Sequence, residues 1–284
     1  MAISNFIPEI WSANILEALR KNLVYGGPGV INRDYEGDIA LAGDTVHITS
    51  FGDPSVGTYT PENDITVGSL TDSTQALAVD QMKYFAFDVD DVYKRQALPG
   101  WVEQATSRSG YLLAKTADTF LAAAMYAAVN QGAYDIGAVT GDISDGTTYG
   151  NVVAKMWQEL SSRDVPMDGR FLIASPAVYG ALLQDNRFIN AQAAGTTDAL
   201  RNGHVGNILG FTVYLSTNTP DPTSGVSAII AGHPIATTYA EQLLEVRAQE
   251  REKRFGQLVK GLHVYGAKVT RPECLSLASV TIQA

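Results

Sequence analysis

The sequence predicts an α+β fold organised around a single long helix. Three observations predict it. An uninterrupted helical pattern runs from Trp101 to Asn130, period-two alternation recurs on both sides of it, and residues 147–232 read as an inserted α/β unit. On the long helix, Leu113, Ala117, Phe120, Leu121, Ala124 and Ala128 fall on one face, while Arg108, Lys115 and Asp118 are assigned to the other. Pro99 and Gly100 punctuate its start and Gly132 its end. At ~1.5 Å per residue this spine would be roughly 45 Å long, longer than a compact core needs.

The 284 residues, 45% hydrophobic and 18% charged, are enough to bury a sizeable core in one or two domains. A net charge of −10 argues against a dedicated nucleic-acid binder, which needs clustered Lys and Arg to neutralise phosphates. The opening MAISNFIPEIW lacks the basic segment and apolar run of a signal peptide, and no stretch reads as a membrane span, so a protein made soluble in a cytoplasm is expected. Cys274 is the single cysteine; it permits no intrachain disulfide and is expected in the core.

In chain order, residues 1–43 form an N-terminal arm. Its short amphipathic helix from Pro8 to Asn22 carries Ile15, Leu16 and Leu19, and the turn-rich Tyr25 to Gly37 follows. Residues 44–92 form an extended hairpin loop, with alternation at Thr45 to Ser50 and again from Ala76. The intervening Phe51 to Ser73 is rich in Gly, Pro, Thr, Ser and Asp. The hairpin is anionic: no Lys or Arg occurs between Arg33 and Lys83, whereas Asp53, Glu62, Asp64 and Asp72 do. Residues 93–146 hold the spine and, from Gly132 to Gly146, a loop. Within 147–232, a helix at Thr148 to Arg163 precedes a buried strand, GRFLIA, and a helix capped by Ser175 and Pro176. Strands follow at Phe211 to Leu215 and Val226 to Ala231. Residues 233–284 return to strands expected to pack on the spine, around a segment carrying Arg247, Arg251, Lys253, Arg254 and Lys260.

Catalytic signatures are missing. There is no phosphate loop, no dinucleotide fingerprint and no Gly-x-Ser-x-Gly elbow, and Ser175 in IASPAV reads as a helix cap. His47, His204, His233 and His263 have no metal-ligand spacing; His47 and His263 read as surface or half-buried strand residues. No catalytic residue, metal or cofactor is therefore assigned. His204, in the turn RNGHVGN, is the one histidine that a competing enzyme reading would use as a base.

GRFLIASPAVYGALLQDNRFINA at Gly169 to Ala191, ALRNGHVGNILGFTVYLSTN at Ala199 to Asn218 and VKGLHVYGAKVTRPE at Val259 to Glu273 carry a resemblance. Together with the order of arm, hairpin, spine, inserted unit and returning strands, they resemble the major capsid protein of tailed bacteriophages, a fold shared with encapsulin shells. The resemblance covers nearly the whole chain. It implies that residues 147–232 are an axial domain meeting its copies around five- and six-fold axes. The spine and the C-terminal strands would then form a peripheral domain. The implied function is a virion capsid shell, built from hexamers and pentamers of the chain itself in the host cytoplasm around double-stranded DNA that it does not bind specifically. Portal, scaffolding and cement proteins are the implied further partners. Some relatives cross-link subunits through a lysine on the extended loop; this hairpin has none, so non-covalent contacts are expected to hold the shell. No long scaffolding segment precedes the arm, so any scaffold is expected to be a separate protein. An encapsulin-like compartment is the alternative within the structural class. The residues assigned to subunit contact are Asp53, Glu62, Asp64 and Asp72 on the hairpin, facing Arg247, Arg251, Lys253 and Arg254 of a neighbour.

Overall fold

The computed structural model describes residues 24–34, 45–51, 56, 58–59, 64, 72–90, 101–130, 134–142, 152–184, 207–221, 225–251 and 255–283. The expected arm helix at Pro8 to Asn22, and His204 with its glycine-rich turn, lie outside the described residues.

The spine is α1, Trp101–Val129, a 29-residue helix. Leu113, Ala114, Ala117, Leu121, Ala122, Met125 and Val129 are buried along it. By length and composition, Ala105–Val129 could cross a bilayer, but its apolar stripe faces protein on both sheets. One expectation fails on this helix: Asp118 does not share the solvent side with Arg108 and Lys115 but is fully buried. It stands four residues from both Ala114 and Ala122, so it lies on their face.

On one side of α1 lies a three-stranded antiparallel sheet ordered β3-β10-β9, formed by β3 (Gln81–Asp90), β10 (Gly256–Val269) and β9 (Thr237–Glu250). Cross-strand partners share a face, so the register sorts the side chains. Phe85, opposite Gly261, and Phe87, opposite Val259, turn toward the main core. A Cβ at Gly261 would enter the Phe85 ring, which explains the glycine. The other face receives the base of a hairpin, β1 (Thr45–Phe51) with β2 (Asp72–Ala78). There Leu77, Val79, Ala240 and Val264 are buried together, flanked by Val46, Ile48 and Leu262. Gly266 lies where the chain leaves β2; an added Cβ would collide with the Ala78 carbonyl oxygen. The alternating run read as one strand from Ala76 is therefore two, broken at Val79 and Asp80, where the chain passes from hairpin to sheet.

The second sheet has six strands in the order β4-β11-β8-β5-β7-β6. These are β4 (Asp135–Asp142), β5 (Phe171–Ala174), β6 (Asn207–Ile208), β7 (Phe211–Leu215), β8 (Val226–Gly232) and β11 (Leu275–Gln283). The expected strands at 169–174, 211–215 and 226–231 are all present. Two assignments are corrected. Gly132 to Gly146, read as a loop, contains β4, whose partner in parallel register is β11, far away in sequence. β11, expected among the peripheral strands, pairs with β8 and so completes this sheet, although it also touches α1. Two further helices, α2 (Ala154–Ser162) and α3 (Pro176–Gln184), pack on β11. Ser175 caps α3 through its hydroxyl, which accepts the Val178 N–H at 3.4 Å.

Buried Arg170 precedes β5, and its guanidinium donates to the carbonyls of Pro166 (2.8 Å) and Val165 (2.6 Å) and to the Ser161 hydroxyl (3.1 Å). It thereby pins the turn that follows α2 back onto Ser161 in the last turn of that helix. Cys274 is buried as expected, and burial pushes its thiol pKa up.

Candidate assembly surfaces

Val56 is 97% and Tyr59 69% exposed, and Asp64 and Asp72 are exposed as well. Asp53 and Glu62 lie outside the described residues.

The basic group divides. Arg247 on β9 stands opposite Lys260 on β10, and both share the sheet face that the hairpin base covers at its other end. Arg251 reaches the same face, where its guanidinium donates to the Asp88 carboxylate at 2.8 Å; Lys260 donates to Gln249 at 2.9 Å. Lys253 and Arg254 lie outside the described residues. Within the chain, neither Asp64 nor Asp72 is ion-paired with Arg247, Arg251 or Lys260 among the described residues.

Behind these surfaces lies a junction that amphipathic reasoning missed. Asp118 Oδ1 accepts the N–H groups of Val24 (2.9 Å) and Tyr25 (2.6 Å), and its Oδ2 accepts Asn218 Nδ2 at 2.8 Å. One carboxylate thus ties the N-terminal turn and the segment after β7 to the middle of the spine. Burial raises its pKa, opposed by the hydrogen bonds from Asn218, Tyr25 and Val24. The turn also fills space beside β7, where Gly29 packs so closely on the Tyr214 hydroxyl that a Cβ would collide with it. It ends by adding to the outer edge of β9: Asn32 N–H donates to the Thr237 carbonyl at 2.9 Å, and Tyr239 N–H to the Asn32 carbonyl at 3.0 Å.

Arg33 follows and donates to Glu241 at 2.6 Å, with its guanidinium 5.1 Å from the centre of the Tyr239 ring. The Tyr239 hydroxyl donates to the same carboxylate at 3.0 Å. Burial alone would raise Glu241, but neighbouring His263 and Arg33 hold it down at about 2. His263, expected at or near the surface, is fully buried; its Nε2 stands 3.6 Å from Glu241, an electrostatic approach too long for a hydrogen bond. No group of three or more His, Cys, Asp or Glu gathers as a metal site among the described residues.

Comparison with known proteins places this architecture. A family model described as phage capsid protein matches residues 71–277. No curated protein matches the chain. Among solved structures, a chain from Mycobacterium phage Che8 is 28% identical, with a TM-score of 0.73 over 87% of this chain and 88% of that one. The capsid of cyanophage P-SCSP1u shares the fold at 16% identity and a TM-score of 0.70, covering 93% and 98%. A virus-like particle from Pyrococcus furiosus shares it more loosely, at 11% identity and a TM-score of 0.51 over 95% and 98%. With a family match across well over half of its length and a fold shared almost end to end with the capsid of cyanophage P-SCSP1u, the protein belongs to the phage capsid protein family and is a major capsid subunit of the virion shell.

Proposed function

We propose that the chain assembles into pentamers and hexamers of itself that close an icosahedral shell around double-stranded DNA in the host cytoplasm, without enzymatic activity of its own. In this reading residues 147–232 approach the five- and six-fold axes, and the hairpin reaches a neighbouring subunit. Portal, scaffolding and cement proteins complete the particle. The observation that carries the reading is the phage capsid family match across residues 71–277, together with the fold shared almost end to end with the capsid of cyanophage P-SCSP1u. Val56 and Tyr59, uncovered by their own chain, support it. An acidic shell also suits a container that must release its genome, because it does not neutralise phosphates.

The pairing of Asp53, Glu62, Asp64 and Asp72 with a neighbour's Arg247, Arg251, Lys253 and Arg254 belongs to this proposal. It has an internal competitor in the Arg251–Asp88 pair. Each exposed pair contributes only about 0.2–1 kcal/mol, so the effect depends on its repetition through the shell. The purified chain, sedimented and imaged by electron microscopy, is expected to form uniform hollow particles. A small monodisperse species that turns over a substrate would overturn the reading. The similarity to the virus-like particle from Pyrococcus furiosus supports a compartment as the second reading. Extraction of particles from the native source separates the two: double-stranded DNA inside favours the virion, and a protein cargo favours the compartment.

A further inference from the structure

We propose that three turns at one end of the six-stranded sheet form an apolar, acidic ridge that docks on the basic face of α1 in a second copy of the chain. The inference rests on the capsid reading above. β7, β5 and β8 are consecutive in the sheet; β5 and β7 run parallel and β8 antiparallel. The turns before β7, before β5 and after β8 therefore emerge at the same end. Each presents one large apolar side chain to solvent: Leu209 (42% exposed), Met167 (60%) and Ile235 (37%).

Hydrogen bonds stitch the three turns into one rigid edge. Thr212 N–H donates to the Arg170 carbonyl at 2.9 Å, and His233 Nε2 lies 3.1 Å from the Asp168 carbonyl oxygen. Leu209 adds a second argument. In the two-residue turn between β6 and β7 it holds φ 48° beside Gly210 at φ 83°, a left-handed pair that favours Asn-Gly. A leucine there is strained as well as exposed, and strain retained at an exposed apolar tip points to a contact.

The partner follows from charge and size. Asp164 and Asp168 are exposed on the Met167 turn and Glu273 on the neighbouring 3-10 turn, while the nearby cations are Arg271, which is exposed, and Arg163, which is ion-paired with Glu159. On the solvent side of α1, Arg108, Tyr111, Leu112 and Lys115 make an exposed stripe at helical spacing, two apolar side chains flanked by two cations. Neither Arg108 nor Lys115 is ion-paired among the described residues. Seven helical residues span roughly 10 Å, and three adjacent strands span roughly the same distance. Ridge and stripe are different surfaces of the same chain, so their contact is head-to-tail, the kind that closes into rings.

The test uses the full chain. Leu209→Asn with Met167→Ser removes the apolar tips while relieving the turn. The expected result is a folded chain with unchanged or higher Tm whose particle yield, measured by sedimentation, falls at least tenfold. Lys115→Glu is expected to lower the yield similarly, and Asp168→Lys in the same chain to restore it. Wild-type yield from the ridge variant would overturn the inference, and so would failure of the charge exchange to rescue. If the wild-type chain itself forms no particles, the capsid reading fails instead, which keeps the two outcomes apart.

Discussion

The six-stranded sheet buries Phe171, Leu172 and Ile173 on β5 against Ile229, Ile230 and Ala231 on β8, an apolar interior that its own strands supply. The three-stranded sheet, by contrast, gathers Arg33, Glu241, Tyr239 and His263 at one end and takes Arg33 from the N-terminal turn. The first sheet draws on area removed from water, which tolerates some change of shape. The second depends on a few charge-assisted bonds that fail abruptly when one partner is lost. The N-terminal turn is therefore better understood as a wedge between the sheets than as the root of a detachable arm. Asp118 holds that wedge to the spine.

The largest expected effect tests the wedge directly. Asp118→Ala strands the N–H groups of Val24 and Tyr25 inside the protein, and a loss of about 3–5 kcal/mol is expected in urea unfolding. A loss below about 1 kcal/mol would show that the turn is not what joins the sheets. Next, Glu241→Gln should cost about 3 kcal/mol at neutral pH. Its value of about 2 in the folded chain lies below the ordinary 4.5, so its stabilisation is complete above 4.5 and lost as the pH falls toward 2. Asp118 works in the opposite sense: its raised value favours the protonated form in the folded chain, so it cannot produce a loss on acidification. The Gln variant should accordingly lose the steep acid limb between those pH values. Persistence of that limb would place the acid sensitivity elsewhere.

A smaller effect is expected at Gly266→Ala, which pushes the Ala78 carbonyl off the three-stranded sheet; about 1–3 kcal/mol is expected, with reduced protection of hairpin amides from exchange. Unchanged hairpin protection would mean that the hairpin is not seated there. Smallest is Gly29→Ala, whose new methyl meets only the end of the Tyr214 side chain. It should cost about 1 kcal/mol and be largely rescued by Tyr214→Phe, as measured by Tm.

Local patterns carried the fold a long way. The α1 stripe, the β5-turn-α3 unit with its Ser175 cap and the alternation in β7, β9 and β10 are all legible because each is decided within a dozen residues. The misses depend on partners remote in sequence. β4, with Gly137 and Gly141, looks like a loop until β11 lies beside it. Asp118 looks like a surface carboxylate until three donors from residues 24, 25 and 218 converge on it. His263 alternates like a surface residue, yet Glu241 and the Tyr265 ring, 4.9 Å away, enclose it. For the candidate contacts, the anionic hairpin and the basic segment were visible in composition, but the pair between Arg251, just past the end of β9, and Asp88 on β3 was not. Strand register, which composition does not encode, brings those two together.

The place of β11 has a consequence for synthesis. It sits between β4 and β8, yet every other strand of that sheet precedes it in the chain. On a ribosome, β4 must wait for its neighbour while about 130 residues are added, on the order of ten seconds at bacterial elongation rates. Until then the edge of β8 stays unpaired, and the sheet that carries the outer turns stays incomplete. A chain thus holds a complete six-stranded sheet only once translation has passed β11.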